Sequence, residues 1–320
     1  MDRYYKKWFF PLALPSMILF VVVILVPFLL GALYSFTSWR GTYFSGGGLW
    51  ESFVGLQNYQ AAFQNQKFLD AFWYTIKFTV IAVITINVTA LALALMVTKI
   101  SRLSGIFRTI FFLPNMLGGL ALGFIWQFIF QIVFSQILFG PESLLPIPFL
   151  QNMTQDNTKA LFALAILVTW QMAGYMMIIY ITGLNNIPYD LYEAAEIDGA
   201  STFQRFRVIT LPMLMPAFTV VFFLTLANCF KLLDQNIALT DGAFGTRMLA
   251  TQILRTIKDT TPPNYGQAQA QAVIFFVLIA VVTLIQVSVT KKREVEIVTI
   301  QTRYPLGMEK QLIRAVTGRE

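Results

Sequence analysis

The chain has 320 residues, 57% of them hydrophobic and only 12% charged, where an ordinary soluble protein is about one quarter charged. Its 23 basic and 16 acidic side chains cannot hydrate the surface of so long a chain, so much of that surface must face lipid. With no His and a single Cys, Cys229, an internal disulfide, His-built zinc sites and His-dependent catalytic dyads are all excluded. The fold class is all-α and integral to a membrane. The net charge of +7 needs no nucleic acid to explain it, because membrane topology accounts for it.

Six apolar runs, at roughly 9–36, 71–98, 106–137, 160–184, 213–236 and 270–290, each reach the ~20 residues that a bilayer-crossing helix needs. The first follows Arg3, Lys6 and Lys7; it is too long for a signal peptide and no Ala-x-Ala cleavage site follows it. After it, Gly46-Gly47-Gly48 lacks the preceding strand and following Lys of a phosphate cradle, and reads as a flexible connection. In the second run Lys77 is close enough to the outer end to snorkel. Asn87-Val88-Thr89 there, and Asn152-Met153-Thr154 later, match only the glycosylation triplet. The third run carries Pro114 and Gly118-Gly119, with Gly119 and Gly123 spaced for close helix contact, which predicts a kinked helix packed tightly on a neighbour.

The fourth run carries Trp170, Gln171 and Tyr175, and the fifth Thr225, Asn228 and Lys231. Flat rings suit a pyranose face and amides or hydroxyls suit its hydroxyl groups, so this mixture fits a neutral sugar; interhelical packing is the competing role for each. Cys229 reads as a small buried hydrophobe. Asp234, three residues after Lys231, either pairs with it or serves a ligand. With the N-terminus inside, fifteen Lys and Arg fall in inside segments and six in outside ones, which places both termini in the cytoplasm by the positive-inside rule. The expected organisation is a cytoplasmic N-terminus at 1–8, a membrane domain at 9–290, and a cytoplasmic tail at 291–320.

The connection at about 185–212 is the most informative. Pro188 suits a first helical position, Asp190 and Glu193 put negative charge at the positive end of the helix dipole, and Gly199 supplies a stop. Ser201 with Gln204 makes a capping box for a second helix running to about Leu211 and broken at Pro212. Leu191, Ala194, Ala195 and Asp198 share one face of the first helix, with two methyl-sized side chains that let another surface approach. A docking helix on the cytoplasmic side is the result.

Glu193-Ala194-Ala195, Asp198-Gly199-Ala200, Phe206, Ile209-Thr210-Leu211-Pro212 and Pro216 resemble, position by position, the EAA signature of permease subunits in bacterial ABC importers. The resemblance extends to Phe53-Val54-Gly55-Leu56-Gln57-Asn58-Tyr59, to Arg108-Thr109-Ile110-Phe111-Phe112-Leu113-Pro114, and to Lys292-Arg293-Glu294-Val295-Glu296. These segments are similar to the carbohydrate group, on the side of the larger maltose permease and the lactose and glycerol-3-phosphate permeases.

The resemblance implies a type I importer permease fold with six transmembrane helices. It implies that Glu193, Ala194, Ala195, Asp198, Gly199 and Ala200 form the helix that docks on a cytoplasmic ATPase, and that Tyr175 and Asn228 line the sugar path, where Gln171 and Lys231 are further candidates by their chemistry. The implied partners are a second permease, a dimer of ATP-binding subunits and an external sugar-binding protein; no cofactor is expected. The chain itself has no Gly-Lys dipeptide and therefore no Walker A loop. An ion-coupled secondary transporter or channel is the rival reading, and it leaves the EAA elbow without a purpose. A membrane-embedded enzyme lacks a nucleophile and base within the spans. Glycerol phosphate would call for more cationic groups than Lys231, which favours a neutral sugar, an oligosaccharide.

Overall fold

The computed structural model describes residues 2–100, 103–143 and 145–303, with side chains described for 9–100, 103–143 and 145–292. The distal part of the expected tail, 304–320, lies outside the described residues, as do Arg102 and the side chains of Arg293 to Glu296. Helices follow in the order α1 (Phe9–Tyr34), α2 (Gln57–Gln64), α3 (Gln66–Thr98), α4 (Ser104–Phe112), α5 (Gly119–Leu138) and α6 (Asn157–Asn185). Then come α7 (Asp190–Ile197), α8 (Thr202–Met213), α9 (Met215–Phe230), α10 (Asp234–Thr240), α11 (Leu249–Lys258) and α12 (Tyr265–Lys292). Five of these (α1, α3, α5, α6 and α12) are long and apolar enough to cross a bilayer, and α8 with α9, bent by 66°, makes a sixth when counted as one span. Apart from two isolated β-bridges, the regular secondary structure of the described residues is helical, as backbone groups in hydrocarbon require.

The chain divides into two compact units, Met1–Asp70 with Leu249–Leu278, and Ala71–Met248 with Ile279–Glu320. In the first, the loop after α1 is stitched by its own backbone: Ser38 N–H donates to Ser52 O at 2.8 Å and Val54 N–H to Phe36 O at 2.8 Å. The Asn58 amide donates to the carbonyls of Ser35 and Thr37 at 2.8 and 2.9 Å, and the Tyr59 and Ser35 hydroxyls meet at 2.6 Å. Phe53 to Tyr59 is thus a structural clasp. The Gly46-Gly47-Gly48 run differs from the flexible connection expected, because Gly47 N–H bonds back to Phe44 O and Ser52 N–H to Gly48 O, closing tight turns.

In the second unit α6 is the central stave, with 61% of its span window buried against 39% for α3 and 17% for α5. Its buried face is built from small and flexible residues, Ala160, Ala163, Ala165, Ala173, Gly174, Met172, Met176 and Met177, which let neighbours come close. At Gly174 the carbonyl of Phe111 on α4 occupies the place of a Cβ.

Two predicted spans are corrected. The run 106–137 is a short helix, a 3₁₀ turn at Leu113–Met116, and then α5. Pro114 has no N–H to continue the ladder, and Leu117 and Gly118 are extended (ψ 137° and 140°). The run 213–236 ends at Phe230; Lys231 caps α9 with φ −89° and ψ 15°, and α10 begins separately at Asp234. Lys231 and Asp234, placed in span five from sequence, therefore lie beyond it, are exposed, and form no ion pair with each other. α10 instead packs along α5, where a Cβ at Gly119 would meet Asp234 Cβ at 2.9 Å and one at Gly123 would meet Ala238 Cβ at 2.5 Å. The expected close contact at Gly119 and Gly123 is this one.

Gly174→Ala puts a methyl group onto main chain, where overpacking typically costs about 1–3 kcal/mol. Its folded yield and melting temperature in detergent, followed by fluorescence-detected size exclusion, are expected to fall, while Gly105→Ala, which meets nothing within 4 Å, leaves both unchanged.

Candidate functional site

The connection between α6 and α9 forms a two-helix elbow. α7 begins at Asp190, two residues later than expected, because Tyr189 rather than Ile187 serves as its N-cap and Pro188 contributes only a carbonyl, to Leu191 N–H at 3.3 Å. Asp190 and Glu193 sit in its first turn, beside the positive end of the dipole. Gly199 ends it with φ +75°, a conformation glycine takes without steric cost. Ala200 N–H then donates to Ala195 O at 2.9 Å and Gly199 N–H to Glu196 O at 3.0 Å, the paired bonds of a Schellman stop.

Ser201 starts α8 with the expected capping box: its backbone N–H donates to Gln204 Oε1 at 2.7 Å, and Gln204 N–H donates to Ser201 Oγ at 3.3 Å. α8 runs past Pro212 to Met213, two residues beyond the predicted end at Leu211. A π-turn at Phe206–Thr210 precedes Pro212, which falls in the first turn of the last α segment.

Two side-chain contacts close the elbow. The Tyr192 and Thr210 hydroxyls lie 2.9 Å apart, and Arg205 pairs with Glu196 at 3.3 Å. Leu191, Ala194 and Ala195 are half-buried, while Glu193, Asp198 and Gly199 are exposed. Tyr189, Ile197 and Phe203 stand out at 69%, 86% and 70% exposure. No atom lies within 4 Å of a Cβ built on Gly199. The elbow thus offers a surface of acidic and apolar side chains around a bare backbone corner.

Along the predicted path, Gln171 is buried and its amide is engaged: Oε1 accepts from Gln235 Nε2 at 2.8 Å, and Nε2 donates to Leu117 O at 3.4 Å. Tyr175, one turn on, is half-buried with its ring against Phe112, centroids 6.2 Å apart. Asn228 donates back to Leu224 O at 2.8 Å. No hydrogen bond joins Tyr175, Asn228 and Lys231 to one another. Trp170 packs on Trp126 at 5.7 Å.

Sequence reasoning passed over Gln235, Tyr180 and the packing role of Asn87. Gln235 reads as the end of a span until the break at Lys231 frees it to reach Gln171. Asn87 matches the glycosylation triplet, but an amide in mid-span is itself a signal of a buried partner. Its partners are Tyr180, whose hydroxyl donates to Asn87 Oδ1 at 2.7 Å, and Thr225, whose Oγ1 accepts from Asn87 Nδ2 at 3.1 Å.

A chain of bilayer-length helices with an exposed elbow between two of them defines a multi-pass membrane protein. Residues 86–295 match the family of binding-protein-dependent transport system inner membrane components, and this chain belongs to that family. It is 41% identical over 298 residues to a probable starch degradation products transport system permease protein of Thermoanaerobacterium thermosulfurigenes, covering 92% of this chain and 98% of the relative. It is 32% identical to a multiple sugar-binding transport system permease protein of Streptococcus mutans, covering 91% and 97%. Two solved chains of a bacterial ABC transporter for the acidic polysaccharide alginate share the fold, with TM-scores of 0.71 and 0.72 at 19% and 18% identity; they cover 91% and 92% of this chain and 98% of theirs.

Removing the Tyr192 hydroxyl with Tyr192→Phe is expected to loosen α7 by the ~1 kcal/mol of one hydrogen bond. Hydrogen exchange of amides 191–200 should quicken roughly fivefold while those of α6 stay unchanged.

Proposed function

We propose that this chain is one membrane half of an ATP-driven importer of neutral oligosaccharides, working by alternating access. The observation that carries the reading is the EAA signature on an exposed, firmly capped elbow between two spans. Exposed Ile197 and Phe203 beside Glu193 and Asp198 suit a cleft with apolar walls and basic residues at its rim, such as a cytoplasmic ATPase would present. Glu193, Ala194, Ala195, Asp198, Gly199 and Ala200 are the coupling residues on this reading. ATP-driven closure of a dimer of such subunits presses on the elbow and turns the pathway outward to receive substrate from an external binding protein. A second permease supplies the other half of the path.

The similarity in length and identity to permeases named for starch degradation products and multiple sugars supports an oligosaccharide cargo, with starch-derived oligosaccharides as the first to test. Tyr175 and Asn228 keep a hydroxyl and an amide oxygen available for sugar hydroxyls. Gln171 and Lys231 belong to the same lining, with Gln171 exchanging its bond to Gln235 when substrate is present. The residue limits 1–8, 9–290 and 291–320 stand as the proposed division into N-terminus, membrane domain and tail.

Purification of the tagged chain in mild detergent tests the reading: an ATPase and a second permease are expected to co-isolate, and ATP-independent uptake by this chain alone in vesicles would overturn it. Gly199→Asp is expected to reach normal membrane abundance yet abolish uptake; wild-type uptake would remove the elbow from coupling. Tyr175→Ala and Asn228→Ala should each raise the maltotriose concentration that half-stimulates ATP hydrolysis by about fivefold, the worth of one hydrogen bond near 1 kcal/mol. An unchanged value removes that residue from the path.

A further inference from the structure

α6 enters the elbow and α9 leaves it, so a displacement of the elbow acts on these two helices first. At its base they touch closely, since a Cβ at Gly183 would lie 2.7 Å from Ala217 Cβ and 2.9 Å from Leu214 Cδ1. Deeper in the unit the same two helices are joined to α3 by side chains. Tyr180 on α6 and Thr225 on α9 are fully buried, and Asn87 on α3 is 7% exposed.

The bonds form a directed chain. The Tyr180 hydroxyl donates to Asn87 Oδ1 at 2.7 Å, Asn87 Nδ2 donates to Thr225 Oγ1 at 3.1 Å, and Thr225 Oγ1 donates to Val221 O at 2.9 Å. The second proton of Asn87 Nδ2 goes to Val83 O at 2.8 Å. Every donor in this chain has an acceptor, and the chain ends on main chain among buried residues. A buried polar group left without its partner costs about 1–3 kcal/mol, which makes the three helices resist separation at this point.

We infer that Tyr180, Asn87 and Thr225 are positioning residues that transmit elbow displacement to α3, so that α3, α6 and α9 move together when the path turns. The inference rests on the importer reading above. A structural role alone would let hydrolysis and transport fall in step as folded complex is lost. A transmission role changes their ratio.

The test uses the complete complex, with its co-isolated subunits and binding protein, in proteoliposomes supplied with labelled maltotriose. ATP hydrolysed per maltotriose imported is expected to rise at least about fivefold in Tyr180→Phe and Thr225→Val, the low end of ordinary coupling free energies, at unchanged complex yield. Thr225→Ser, which keeps the hydroxyl, is expected to match wild type. Unchanged ratios in both variants, or hydrolysis and import falling together, would overturn the inference. Should Tyr180→Phe fail to assemble, the Thr225→Val and Thr225→Ser pair decides by the same ratio. A wild-type complex that hydrolyses ATP without importing any sugar offered would instead contradict the importer reading, so the two failures are distinguishable.

Discussion

The carbonyl of Phe111 rests where a side chain at residue 174 would stand, and the arrangement of the second unit follows from that contact. With α4 pressed against bare backbone, Phe112 meets the ring of Tyr175, and the broken segment after Leu113 runs along α6. The break leaves carbonyls without helical partners. Gln171 answers one of them, the carbonyl of Leu117, and its own oxygen is taken by Gln235. Gln235 lies on α10, which is held against α5 by Gly119 and Gly123. From this methyl-free position a continuous set of contacts runs through the broken segment and a part-buried amide pair to a short helix.

The elbow obeys a different logic. It has little buried area to hold its shape, so its two helices are defined by caps: a Schellman stop at Gly199, a capping box at Ser201 and Gln204, one hydroxyl pair and one ion pair. Ion pairs as exposed as Glu196 with Arg205 contribute little on their own. Backbone bonds at the corner contribute more to its rigidity. A lever needs stiffness at the joint and an uncovered surface beyond it, and this segment has both.

Much of this was legible in the amino-acid order. Six apolar runs, the capping box at Ser201 and Gln204, the stop at Gly199 and the close contact at Gly119 and Gly123 are all local signals, set by hydropathy, turn chemistry and small-residue spacing. What escaped were features decided by tertiary partners. An apolar run reads the same whether it is one helix or a helix broken at Pro114, and 213–236 gave no sign that Lys231 ends α9. The contact at Gly174 depends on which main chain crosses it, and the partners of Asn87, Tyr180 and Thr225, are set by how three helices pack. Membership of the permease family was carried by the EAA residues; the lining of the path was not, because side chains such as Gln171 serve packing with the same groups that would serve a sugar.

This chain is a path and a lever whose driving chemistry lies in another subunit. The most direct measurement is maltotriose accumulation in proteoliposomes holding the complex, with ATP sealed inside or left out, before and after ionophores collapse every ion gradient. The account predicts accumulation that requires enclosed ATP and survives the ionophores; accumulation that persists without ATP and vanishes with the gradients would contradict it.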